Sequence, residues 1–377
     1  MTKTKKMKMT NRERFVLLPS ILLIPALTFV SLAIGTDLYL HNRDFEGRYG
    51  LNTLNIWGYR GDPAPKPSSD QLRIAVVGGS TAWGYGIPNR DSFPSQLQEL
   101  LKEELAPMKP ILLNLAFNNE GAFGYWANLE DYNDLDYELA VLYTGVNDSG
   151  GANYLQWRRT SFIFRSTGYL PILPEILRTQ IGNFQAGRGT SGPEDPRIKF
   201  DPKFSENLQK KITREKLDDY LKIPREEPGV QNGSKSKSTT KDFEKNSSPQ
   251  HGYSPKTEEN TDVTAAIPDI SLCSDRWNFY CNQIKKSIDF VIGQGKRVLI
   301  VGEPLLSEAQ AEQQMDLRMF LEKYYQNDPR ILYADLGLAV DVSDSQIAFD
   351  GMHLTAEGNR QIATLLINPI MRIMDIK

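Results

Sequence analysis

Histidine and cysteine are scarce in this chain: its 377 residues include three of the first and two of the second. Cys273, Cys281 and the scattered His41, His251 and His353 do not have the spacing of zinc ligands, so neither a metal centre nor a cofactor is expected. The chain also lacks a Gly-x-Ser-x-Gly nucleophile elbow, a Gly-x-x-x-x-Gly-Lys phosphate loop and a dinucleotide fingerprint after a strand. Surplus positive charge is missing too. A formal net charge of −3 argues against a general nucleic-acid binder. Carboxylate pairs such as Asp131/Asp134 and Glu226/Glu227 read as solvated faces or loops, because nothing in the sequence sets them across a cleft.

His41 follows a long apolar run, and His251 lies in a Ser/Lys/Asn-rich tract. His353 alone sits in a motif, Phe349-Asp350-Gly351-Met352-His353-Leu354-Thr355, ahead of a helix-like stretch. Any general-base chemistry by imidazole therefore falls to His353. A nucleophile candidate stands far upstream. The aliphatic run Leu72–Val77 reads as a buried strand closed by Gly78-Gly79, with Ser80-Thr81 at its tip. In open α/β sheets ligands bind outside such strand ends. By itself Gly-Gly-Ser-Thr is equally an ordinary turn in which Ser80 or Thr81 caps the next helix. A second buried strand, Tyr137–Thr144, runs into Gly145-Val146-Asn147-Asp148. There the Asn147 amide can donate to a developing oxyanion and Asp148 can brace the loop. Alone, this is also a common turn.

In their order, Gly79-Ser80, Gly145-Val146-Asn147-Asp148 and Asp350-Gly351-Met352-His353 resemble the blocks of the SGNH hydrolases, also called GDSL-like esterases and acylhydrolases, of the membrane-anchored bacterial type. The resemblance covers roughly Leu72 to Asn183 and Ser274 to Leu366. One departure is Gly-Gly-Ser-Thr in place of the family's Gly-Asp-Ser. The resemblance implies Ser80 as nucleophile, His353 as general base and Asp350 as the group that orients the imidazole. It implies an oxyanion hole made by the backbone amides of Ser80 and Gly121 and the Asn147 side chain. Gly121 is taken from Asn119-x-Gly121-x-x-Gly124, which follows the apolar run Ile111–Ala116, and Gly124 is its substitute. Either glycine could instead be a turn residue without catalytic duty.

The N-terminus points to a membrane. Lys3, Lys5, Lys6, Lys8, Arg12 and Arg14 precede Phe15–Gly35, an uncharged stretch of about twenty residues, long enough for a membrane helix. The positive-inside rule then leaves the N-terminus cytoplasmic and the remainder extracytoplasmic, periplasmic or at the cell surface. A signal peptide cleaved near Ser31-Leu32-Ala33 is the alternative to an uncleaved single-pass anchor. The expected organisation is a cytoplasmic basic tail at 1–14, an anchor at 15–39, a membrane-proximal linker at 40–71 and one hydrolase-like domain at 72–377. A polar tract at 184–262 reads as a disordered insertion, with a short charged helix at Arg214–Ile223.

Further along, the spacing predicts a helix over Asp275–Ile292, a strand over Arg297–Gly302 tipped by Glu303-Pro304, a helix over Leu317–Tyr325, a strand over Ile331–Asp335 and a helix from Thr355. Such alternation gives an α/β fold, a three-layer parallel sheet flanked by helices, behind one transmembrane helix, and the resemblance implies that it is of SGNH/flavodoxin-like type. A Cys273–Cys281 disulfide requires Cys273 to lie off the helix. The apolar and aromatic stretch Asn153–Leu177 could be an acyl-binding wall, a lid, a membrane-resting face or plain core. Three functions fit: an extracytoplasmic esterase or deacylase acting on an acyl ester, chiefly O-acetyl, of an envelope polysaccharide or lipid; an O-acyltransferase of envelope glycans using the same residues; and an inactive envelope scaffold.

Overall fold

The computed structural model describes residues 11–41, 54–149, 161–185 and 273–376. The insertion expected at 184–262 lies outside the described residues beyond Gln185, as do the helix expected at Arg214–Ile223 and His251. Helix α1, Asn11–His41, is the first element of the described residues. Its Leu23–His41 portion, 19 residues of mean hydropathy 1.6, is long and apolar enough to cross a membrane, and a signal sequence meets the same description. Of the linker expected at 40–71, Leu40 and His41 belong to α1, and the part from Leu54 onward packs into the body. Leu54 and Tyr59 are buried there, and the Arg60 N–H donates to the Asn114 carbonyl at 3.1 Å.

Five parallel strands form one sheet in the order β2-β1-β3-β4-β5. They are β1 Gln71–Gly78, β2 Lys109–Asn114, β3 Leu139–Thr144, β4 Arg297–Gly302 and β5 Ile331–Asp335. This is the expected three-layer α/β architecture with flavodoxin-like strand order. β1 and β3 are aliphatic along almost their whole length because helices cover both faces of the sheet, so there is no polar face to alternate with. Each fully buried Val, Leu or Ile there contributes about 1.5–3 kcal/mol. α3 (Phe93–Glu104) packs with α10 (Ala356–Ile373) on one face, and α4 (Ala122–Asp131) packs with α8 (Asn278–Gly293) on the other.

The remaining helices are short or surround the site: α2 Ser80–Trp83, α5 Val146–Ser149, α6 Phe162–Thr167, α7 Leu173–Gln185 and α9 Glu308–Tyr325. α8 begins at Asn278 and not at Asp275, which leaves Cys273 off the helix and joined to Cys281 in a disulfide with a Cα separation of 6.3 Å. α9 starts at Glu308, well ahead of the expected Leu317. Its first turns bury Gln310, Gln313 and Gln314, so they carry no apolar periodicity to read. Of the stretch expected at Asn153–Leu177, the residues before Ser161 lie outside the described ones. Within the rest, Phe164, Leu170 and Ile172 are core, whereas Phe162, Ile163 and Leu177 are exposed.

Candidate active site

The strand order reverses between β1 and β3, and at that switch point the carboxyl ends of the strands leave a crevice. β1 delivers Ser80 to it and β3 delivers Asn147. Ser80 is not a cap: it is the first residue of α2, with Gly79 as N-cap. Its carbonyl accepts the N–H groups of Gly84 at 3.0 Å and Tyr85 at 2.9 Å, which fixes the turn beyond the hydroxyl. Both glycines before it are required by space. A Cβ on Gly78 would stand 2.7 Å from Ala82 Cβ, and one on Gly79 would stand 2.0 Å from Asn147 Nδ2. The volume that an aspartate would enter in the Gly-Asp-Ser form is here held by the Asn147 amide.

His353 comes from the other end of the chain, on the turn before α10. The turn is closed by the Phe349 N–H donating to the His353 carbonyl at 3.0 Å and by Gly351 at φ 81°. Thr355 caps α10, its hydroxyl accepting the Gly358 N–H at 3.2 Å. One Asp350 oxygen accepts the N–H groups of Met352 (3.0 Å) and His353 (2.7 Å), while the other lies 2.6 Å from His353 Nδ1. His353 Nε2 lies 2.9 Å from Ser80 Oγ. A carboxylate can only accept, so Nδ1 carries the proton and Nε2 is left to accept from the serine. Burial alone would raise the Asp350 carboxyl, but the hydrogen bond and charge of His353 and the two backbone donors hold it below the ordinary carboxylate range. The imidazole lies near two rings, Tyr85 with centroids 4.6 Å apart and Phe349 at 6.0 Å.

Asn147 Nδ2 donates to the Glu120 carbonyl at 2.7 Å. In a trans peptide the carbonyl and the following N–H point in opposite directions. The Gly121 N–H therefore points away from Asn147, so these two expected oxyanion donors do not converge in this structure. Gly124 does not replace Gly121, because it lies inside α4 and its N–H donates to the Gly121 carbonyl at 3.0 Å. The Ser80 N–H, at the start of a helix, has no intrahelical acceptor. Asp148 does brace the loop: its carboxylate accepts the Ala122 N–H at 3.0 and 3.1 Å, at the N-terminus of α4.

Two charged residues that sequence reasoning did not assign hold this arrangement. Glu303, at the tip of β4, is buried and ties together the loops that carry Ser80 and Asn147, accepting from the Thr81 hydroxyl at 3.2 Å and the Val146 N–H at 2.7 Å. Burial pushes its carboxyl up to about 8, against the pull of those hydrogen bonds. Its place at a strand tip was the only signal available. Arg60, also buried, donates to the carbonyls of Trp83, Gly84 (2.7 Å) and Ile87 (2.6 Å), and so secures the turn that carries Tyr85. No sequence pattern announces it.

No protein-family model matches the chain, and no curated protein matches it in sequence. Among solved structures it is similar to the psychrotrophic esterase EstA from Pseudoalteromonas sp., at 8% identity over 80% of this chain and 98% of that one, with a TM-score of 0.39. It is also similar to a family 3 carbohydrate esterase from Clostridium thermocellum (11% identity, 81% and 98% covered, TM-score 0.39). A third is the acetyl xylan esterase AlAXEase (12% identity, 79% and 100% covered, TM-score 0.35). Overlaps this loose carry no argument about activity. The strand order is that of a doubly wound parallel α/β sheet, and Ser80, Asn147 and His353 meet at the carboxyl ends of its strands.

Proposed function

We propose that this protein is a membrane-anchored serine esterase or deacylase of SGNH type, working on the extracytoplasmic side on an acyl ester, with O-acetyl the favoured group. The observation that carries the reading is the continuous chain from Ser80 Oγ through His353 to Asp350, at 2.9 and 2.6 Å. Ser80 attacks the ester carbonyl while Nε2 of His353 takes its proton. The tetrahedral intermediate expels the alcohol, which receives that proton, and leaves an acyl-serine. Water activated by the same imidazole then attacks the acyl-serine, releasing the carboxylic acid and restoring Ser80. Asp350 keeps Nδ1 protonated throughout. The Ser80 N–H and the Asn147 amide are the oxyanion donors, and the Glu120 carbonyl orients Asn147. The six basic residues ahead of the apolar part of α1 support a cytoplasmic N-terminus.

The test is covalent labelling of the full chain by a fluorophosphonate probe. Wild type is expected to label, Ser80→Ala to lose the label, and His353→Ala to label far more slowly. A folded wild type that does not label would remove the activated serine and leave the envelope scaffold as the better reading.

A further inference from the structure

α1 ends clamped to the catalytic body. Asp37, one turn before the end of the helix, accepts from the Leu173 N–H at 2.5 Å and from the Tyr169 hydroxyl. The ring nitrogens of His41 each lie 2.8 Å from a carbonyl oxygen, one of Leu54 and one of Leu170. Residues 169–172 connect α6 to α7. Because this connection grips α1 at position 37, about 6 Å inside its C-terminal end, the flanking helices lie level with the last turn of α1. Large apolar side chains are exposed there, Phe162 at 82%, Ile163 at 48%, Leu177 at 51% and Ile181 at 57%, with Arg165 and Arg178 exposed on the same two helices. Leu177 and Ile181 are four apart and share one stripe of α7. The opposite side is fixed to the body by buried Phe164, Leu170 and Ile172. Exposed Tyr39 and Trp57 stand beside the same junction, the Trp57 ring lying over Gly168 at the end of α6. Aromatic rings gather at headgroup level, and amphipathic helices lay their apolar faces into that zone.

We infer that α6 and α7 form a platform seated in the headgroup region of the bilayer that α1 crosses, so that the catalytic body keeps one fixed orientation to the lipid. The inference rests on the reading of α1 as an uncleaved span.

The experiment uses the full chain with an environment-sensitive NBD fluorophore at Phe162→Cys, reconstituted in phosphatidylcholine vesicles with and without a nitroxide-bearing lipid. Glu322→Cys, on the exposed side of α9, is the aqueous control. The expected result is a blue-shifted emission at position 162 that loses most of its intensity to the nitroxide lipid, with neither effect at 322. A blue shift without quenching would mean that protein covers the face, and an unshifted emission would mean that water does; either overturns the platform. Resistance of the same chain to carbonate extraction reports the span separately. A chain released by carbonate would overturn the span and the platform together, while fluorophosphonate labelling of Ser80 would leave the esterase reading standing.

Discussion

Gly79→Ala tests the site where its geometry is tightest. Gly79 has φ −84°, which any residue adopts, so the obstacle to a side chain is space alone. An alanine Cβ would lie 2.0 Å from Asn147 Nδ2, where ordinary contact begins near 3.4 Å, so the amide must retreat by about 1.4 Å. A hydrogen bond aimed at an oxyanion does not survive a displacement of that size. The buried strand behind is untouched, so the variant is expected to fold normally. It should lose what one oxyanion donor supplies, roughly a hundred- to a thousandfold in kcat, or about 2.7–4 kcal/mol, with little change in KM. The assay is hydrolysis of p-nitrophenyl acetate by wild type, Gly79→Ala, Asn147→Ala and the double variant. If the alanine acts only through Asn147, the double variant is no slower than Asn147→Ala, and the coupling equals nearly the whole single effect. Activity of Gly79→Ala within about threefold of wild type, or additive losses in the double variant, would refute the assignment of Asn147 as a donor held against Gly79.

Two further predictions concern the residues that hold the loops. Unfolded Glu303 ionises near its ordinary 4.5, whereas burial raises it to about 8 in the fold. Between those values the unfolded chain binds fewer protons, so rising pH favours unfolding; the contribution of the neutral acid is complete below 4.5 and lost as pH passes about 8. Glu303→Gln cannot ionise and retains an acceptor for the Val146 N–H, so its stability should fall less steeply than that of wild type between about pH 5 and about pH 8. Superimposable pH–stability curves from urea titrations would contradict this. Arg60→Met removes the donors to three carbonyls at a buried site and should cost about 3 kcal/mol or more in the same titrations. It should also slow acyl-enzyme formation through the loosened Tyr85 turn. A loss below about 1 kcal/mol would show that water replaces the guanidinium there.

β4 and β5 match the sequence reading residue for residue, because each is an apolar run stopped by a chain-reversing segment. β3 begins at Leu139, two residues later than Tyr137, and β2 lies two residues upstream of the apolar run Ile111–Ala116. Those ends are decided by register against β1 and not by side-chain character. The onset of α9 was illegible because its buried face is glutamine. The exposed half of the 161–177 stretch was illegible because periodicity marks an apolar face without saying what covers it.

Local chemistry, then, was in the sequence by itself. Short aliphatic runs specify buried strands, glycines mark close approaches at their tips, Thr355 caps a helix, and Asp350 lies three residues from His353 on a turn that lets its carboxylate reach the imidazole Nδ1. Tertiary structure alone decided the rest. It brought Ser80 within 2.9 Å of an imidazole 273 residues away, turned the Gly121 N–H away from Asn147, recruited Arg60 and Glu303 to the loops, and set α6 and α7 at the foot of α1. The reason is physical: these features depend on where separate strands and loops end once the core is packed, and neighbours along the chain carry no record of that distance.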